Sequence, residues 1–348
     1  IVIFYLRQQN KREHAMHATH VLHIQLRKMC QAVHKRRLQA LMDCTRALMR
    51  GRMLSVTGIG RALDSGIWPK HNIKRADRLI GNATLHQERH GIYRALSAMI
   101  LANSPRPVLI VDWSDATPDR QLQLLRAAVP VGGRALTIYK EIHPLIRIGN
   151  ARIHRRFLQA LKQVLPDHCS PILVSDAGFR NPWFRAVRAM GWDFVGRVGG
   201  HTMTRADEHS PWVRVEELFA RATARPRYLG EIEVARSAPL HCHAYSLKRP
   251  PKGRIKKTRF GTKSRMQHSL KNAHRERTPW LLVTSLADGA AITRRVINLY
   301  RTRMRIEQSF RDLRNGRWGS GLEYSMTTIR YRFENLLMLG SLAPGPHG

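Results

Sequence analysis

The chain has 348 residues and carries 60 Lys and Arg against 24 Asp and Glu, a formal net charge of +36 before any of its 18 histidines is protonated. Such a surplus repels itself in a compact state and points to a polyanionic partner, nucleic acid being the commonest. A hydrophobic content of 43% is enough for real cores, which excludes a disordered basic tail, and the length suggests two or three domains at about 100–200 residues each.

No apolar run reaches the roughly 18 residues of a membrane span, and no cleavable leader is recognisable. The first residue is Ile1, and residues 1–25 are rich in Arg, Gln and His without a clear apolar stripe; they read as an uncertain leader. From 26 to 50 the pattern turns helical, with Leu38, Leu41, Leu48 and Met49 at helical spacing and Gly51 placed to end the run. A short helix is predicted over 57–63 and a turn at Asp64-Ser65-Gly66. Pro69 then opens a basic helix carrying Lys70, Lys74, Arg75 and Arg78 that stops at Gly81-Asn82. Helix, tight turn, basic helix is the outline of a helix-turn-helix whose second helix enters the major groove; an ordinary two-helix corner with a solvated basic face is the plain alternative. Residues 26–104 are thus expected to form a helical DNA-binding domain. Gly58-x-Gly60 follows no strand and carries no phosphate-loop meaning.

The middle of the chain changes character. Pro107-Val108-Leu109-Ile110-Val111 reads as a buried strand, and 122–131 and 134–143 flank the hairpin signal Gly132-Gly133. A helix over 151–165, a strand over 171–175, a helix over 181–190 and a strand over 192–198 follow. The order β-β-β-α-β-α-β outlines an α/β fold of the RNase H-like (retroviral-integrase-like) kind, an antiparallel meander extended by parallel strands with helices on its faces. Its core is expected over 105–199 and 279–334. Residues 200–278 read as a β-rich insertion, with a strand over 227–234 and a basic loop over 248–277. That loop holds twelve Lys or Arg, including Lys256, Lys257 and Arg259, against Glu276 alone, a density suited to a DNA backbone. A strand over 280–284 and one long helix over 291–314 come next. Residues 335–348 read as a truncated C-terminal segment, in which an apolar helix is broken by Ala343-Pro344-Gly345-Pro346 and residues 336–339 are left exposed.

In a chain this poor in acids each carboxylate counts. Asp112 and Asp176 directly follow predicted buried strands, at the strand ends where α/β folds place ligands; Asp115 is less well placed. Two carboxylates on neighbouring strand ends suit Mg²⁺ or Mn²⁺, although a plain turn-capping role accounts for either alone. On a single helix over 291–314, Tyr300, Arg303, Glu307 and Arg314 share one stripe beside an apolar stripe of Leu299, Ile306, Phe310 and Leu313. The plain alternative is an i,i+4 ion pair between Arg303 and Glu307. His14, His17, His20 and His23, and His241-Cys242-His243, lack the spacing of a structural zinc site. Cys30, Cys44, Cys169 and Cys242 form no CxxC pair and fit free thiols in a reducing cytoplasm.

The segments Val111-Asp112-Trp113-Ser114-Asp115 and Val174-Ser175-Asp176-Ala177-Gly178-Phe179, with Tyr300-x2-Arg303-x3-Glu307-x6-Arg314, resemble the bacterial DDE transposases of the insertion-sequence-four family. Within that family the transposon-ten transposases are the nearest likeness, through Lys70-His71-Asn72-Ile73-Lys74-Arg75, Asp77-Arg78-Leu79, Gly133-Arg134 and Pro182-Trp183. The likeness spans roughly residues 29–333. It implies that Asp112, Asp176 and Glu307 are a catalytic triad holding two Mg²⁺ or Mn²⁺ ions, and that Tyr300, Arg303 and Arg314 grip phosphates beside the scissile bond. Arg314 stands where the family has Lys, keeping the charge but changing its geometry. Trp280 occupies the place of an aromatic that stacks a flipped base, though a strand Trp opening a core is the commoner case. The implied activity is excision of an insertion sequence by nicking, hairpin formation and hairpin opening, then strand transfer into target DNA. The implied partners are terminal inverted repeats, target DNA and a second copy of the chain in a synaptic complex, at the nucleoid in the cytoplasm and away from membranes. An RNase H-like nuclease without strand transfer and an inactive remnant that only binds DNA remain the alternatives.

Overall fold

A computed structural model describes residues 11–250, 262, 266–267, 278–316 and 319–343. In chain order, five helices come first: α1 (Lys11–Met29), α2 (Lys35–Gly51), α3 (Val56–Ala62), α4 (Pro69–Ile80) and α5 (Ala83–Leu101). Then follow β1 (Val108–Asp115), β2 (Leu122–Val131), β3 (Arg134–Pro144), α6 (Ala151–Val164), β4 (Ile172–Ser175), α7 (Asn181–Ala189) and β5 (Asp193–Val198). The strands β6 (Met203–Arg205), β7 (Val213–Arg214), β8 (Arg227–Val234), β9 (Leu240–Leu247) and β10 (Trp280–Thr284) lead to α8 (Thr293–Arg301), α9 (Met304–Arg314) and α10 (Arg330–Leu342). This is the mixed α/β order of an RNase H-like core with a β-rich insertion. The chain divides into two compact units, Ile1–Pro171 with Met304–Gly348, and Ile172–Arg303.

In the first unit β1, β2 and β3 form an antiparallel meander. Trp113 pairs with Leu125 and Leu125 with Glu141; one residue along, Asp112 pairs with Arg126 and Arg126 with Lys140. Because side chains alternate across a strand, these two rows point to opposite faces. One face packs on α5 and α6, where Tyr139 meets Tyr93 edge-on at 5.4 Å and Phe157 at 5.5 Å. The other face receives α9, with Ile306 and Phe310 buried. Among the N-terminal helices, Asn72 is buried and ties the α3–α4 turn together: Ser65 Oγ donates to its Oδ1 at 2.8 Å and its Nδ2 reaches Leu63 O at 3.5 Å.

The second unit is built on the strand order β4-β5-β10-β9-β8-β6-β7. β4 and β5 run parallel, as the crossover through α7 requires, and the remaining pairs are antiparallel. α7 lies close on β5, where a Cβ on Gly196 would stand 2.2 Å from the Phe184 ring.

Several expectations are corrected. Residues 11–29 are helical, with Leu26 fully buried, and Cys30 to His34 separates α1 from α2 within what reads as one helix over 26–50. α5, within the region expected to be helical, is enclosed on several sides, by α1, α6, β3 and α10. Asp112 lies inside β1 rather than after it, since pairing with β2 continues to Asp115. The single helix over 291–314 is two helices: Thr302 Oγ1 donates to Leu299 O at 2.6 Å, the Arg303 N–H bonds to Tyr300 O at 3.1 Å, and the i→i−3 pattern ends α8. The one stripe expected to hold Tyr300, Arg303, Glu307 and Arg314 is therefore divided. Leu336, Leu337, Met338 and Leu339 are buried rather than exposed, because α10 packs on α2, α4, α5 and β3.

Candidate functional site

In the first unit Asp112 is 7% exposed, and the Trp113 N–H donates to its Oδ1 at 2.9 Å. The next side chain along β1 turns to the opposite face, where the Trp113 indole N–H donates to His154 Nε2 at 3.2 Å. Burial, with His143 adding to it, holds the His154 pKa down to about 4, so the ring is neutral at neutral pH and can accept that bond. On Asp112's own face lies Arg126, buried and lowered to about 10 by burial, with its guanidinium carbon 5.5 Å from the Phe310 ring centroid of α9. Arg126 Nη2 donates to Ala135 O, the Ala135 N–H donates to Ser309 Oγ at 2.9 Å, and Arg134 Nε pairs with Asp312 at 2.6 Å. These contacts fix α9 on the meander, and half-buried Glu307 sits one turn before Phe310. Asp112 and Glu307 are thus brought to the same face of one unit. Beyond Arg126 the same row ends in Lys140, buried, with its pKa pushed well down by burial and then by Arg126. Arg314 lies partly exposed in the last turn of α9.

Asp176 belongs to the second unit, directly after β4 as expected. Its Oδ1 accepts from the Gly178 N–H at 2.8 Å, a turn that leaves 3.0 Å between that oxygen and a Cβ placed on Gly178. Tyr300 is 3% exposed; burial, and then Asp176, push its hydroxyl up, against Arg303 and Arg197, so it remains a proton donor at neutral pH. The Arg303 guanidinium carbon lies 5.9 Å from the Tyr300 ring centroid. Trp280 meets Tyr300 edge-on at 4.8 Å, and Arg249 covers the Trp280 ring at 4.8 Å, where a base would have to stack. Asp176, Tyr300, Arg303 and Trp280 therefore gather in this unit.

On α4, Lys70, Lys74, Arg75 and Arg78 are all exposed, with Asn72, Ala76, Leu79 and Ile80 facing inward. Arg75 also lines a cleft of about 830 Å³ with Arg27, Lys35 and Arg36 of α1 and α2. Lys256, Lys257 and Arg259 lie outside the described residues. Sequence reasoning missed Arg126, Lys140, Arg197, Arg249 and the cleft. Arg126 had a readable signal, a lone charge inside the apolar run Leu124-Leu125-Arg126-Ala127-Ala128. The others come together only through tertiary packing.

The predicted metal ligands are all carboxylates, hard oxygen donors that fit Mg²⁺ or Mn²⁺. Among the described residues no three or more His, Cys, Asp or Glu side chains are already arranged to hold a metal ion. None of the described helices is long and apolar enough to cross a membrane.

The sequence model of a family described as the transposase DDE domain matches residues 103–341, more than two thirds of the chain. The chain belongs to the transposase DDE domain family. The matched DDE domain opens just ahead of β1 and closes within α10, so Asp112, Asp176 and Glu307 lie inside it and α1 to α5 outside. Members of this family generally use divalent metal ions. No curated protein matches the chain. Among solved structures it is similar to a piggyBac transposase synaptic complex with hairpin DNA, at 11% identity and a TM-score of 0.42, covering 96% of this chain and 65% of that one.

Proposed function

We propose that this DDE-domain chain is a cut-and-paste DNA transposase of the insertion-sequence-four type, nearest to the transposon-ten branch. In this reading Asp112, Asp176 and Glu307 hold two Mg²⁺ or Mn²⁺ ions, which would activate a water or 3′-hydroxyl and stabilise the leaving oxygen of an in-line displacement. Tyr300 donates its retained hydroxyl proton to a phosphate oxygen, and Arg303 and Arg314 neutralise phosphates beside the cut. Trp280 stacks a flipped base once Arg249 has moved from its ring. Lys70, Lys74, Arg75 and Arg78, and Lys256, Lys257 and Arg259, hold DNA backbone. Nicking, hairpin formation, hairpin opening and strand transfer are four displacements by one set of residues, carried out by two copies of the chain on paired ends at the nucleoid.

What supports the reading is the match to the transposase DDE domain over residues 103–341, within which α9 is fastened on the meander through Arg126, Ser309 and Asp312. The test incubates the full chain with labelled DNA carrying the inverted repeats that flank its coding region, with Mg²⁺ or Mn²⁺. Hairpins and strand-transfer products are expected. Glu307→Gln should abolish both, a loss of at least about a thousandfold, while leaving DNA retention within about twofold. Nicks alone would point to a nuclease and retention without product to a binding remnant; intact cleavage by Glu307→Gln would refute the triad.

A further inference from the structure

Trp68 immediately precedes α4 and is 76% exposed, the most exposed Trp, Tyr or Phe among the described residues, and its neighbour Ile67 is 46% exposed. Its indole is presented by a fixed backbone. Pro69 occupies the first turn of α4, the His71 N–H bonds to Trp68 O at 2.9 Å, and Asn72 holds the preceding turn through Ser65 and Leu63. The Trp68 side chain makes no capping bond to the helix. Lys70, His71 and Lys74, further along α4, are exposed, while Asp64 pairs with Arg50 and Asp77 with Arg332. An exposed indole at the start of a helix that carries exposed cations matches the way proteins pair backbone neutralisation with base stacking.

We propose that Trp68 is a nucleobase contact, its ring stacking on a base of the DNA whose backbone the α4 cations hold. The inference rests on the DNA-binding reading above and adds to it an uncharged contact. It requires that the ring contribute affinity that salt does not screen, because stacking releases no counterions.

The test measures fluorescence anisotropy of a labelled 30-base-pair duplex and a labelled 30-nucleotide single strand with the full chain at several salt concentrations. Trp68→Ala should weaken binding about tenfold or more at every salt concentration, with the salt slope unchanged, and Trp68→Phe should restore most of the loss. Binding by Trp68→Ala within twofold of wild type would overturn the proposal, as would a shallower salt slope, which would mean that Trp68 only arranges the cations. Wild-type chain that binds neither DNA would overturn the DNA-binding reading itself, an outcome distinct from an indifferent Trp68. Thermal melting of Trp68→Ala should match wild type, since the side chain mostly faces solvent.

Discussion

Glu334 lies 3% exposed within α10, and its carboxylate joins three elements. His86 Nε2 approaches at 2.6 Å, Arg330 Nε at 3.3 Å and Arg89 at 3.7 Å, and the Ile142 N–H of β3 donates at 3.0 Å. Burial alone would raise the pKa, but the bonds from His86 and Ile142, with Arg89 and Arg330, outweigh it and hold the group down at about 2. A carboxyl depressed in the folded state stabilises fully above its unfolded value, near 4.5, and that contribution is lost as pH falls from there toward 2. Glu334→Gln should therefore cost about 3 kcal/mol at pH 7 and flatten the acid limb of the stability profile, read as urea midpoints from pH 6 to pH 2.5. An unchanged acid limb would refute the assignment. Nothing in the sequence marks Glu334, because its partners come from α5, β3 and α10, up to 248 residues away.

At the scale of elements, β2 to β5, β8, β10, α6 and α7 were legible because their apolar runs and turn residues agree with one another. β2 and β3 meet at Gly132-Gly133, both at positive φ, as a tight hairpin demands. One helical region reads differently in the structure for a physical reason: α8 ends where the Thr302 hydroxyl and the Arg303 N–H bond back to carbonyls three residues earlier. Gly58-x-Gly60 follows no strand in the sequence, and in the structure Gly60 has a packing role. A Cβ there would stand 2.5 Å from the Ile73 Cα and 2.8 Å from its N, so α3 and α4 touch backbone to backbone. Gly60→Ala gains about 1 kcal/mol of helix propensity, but a clash with backbone has no flexible side chain to relieve it. A net loss of about 1–3 kcal/mol is expected in chemical denaturation. A stabilised variant would contradict the close approach.

For the whole molecule, the +36 of formal charge has specific addresses: the exposed row on α4 and the cleft it shares with α1 and α2. If these hold phosphates, log K should fall linearly with log salt at about −0.9 per phosphate, and joint replacement of Lys70, Lys74 and Arg78 by Ala should shrink the slope by about 2 to 3. A slope that does not change would place the bound backbone elsewhere. The sequence by itself determined the charge surplus, the order of strands and helices from 108 to 198 and the likeness to DDE transposases, because charge balance, hydrophobic period and motif spacing are local or additive properties that survive in a linear string. Only the tertiary structure decided where the 291–314 segment breaks, that Asp112 lies within its strand, that Arg126 fastens α9 beside it, and that α10 is buried. Those outcomes depend on side chains far apart in the chain competing for the same faces and the same hydrogen-bonding groups.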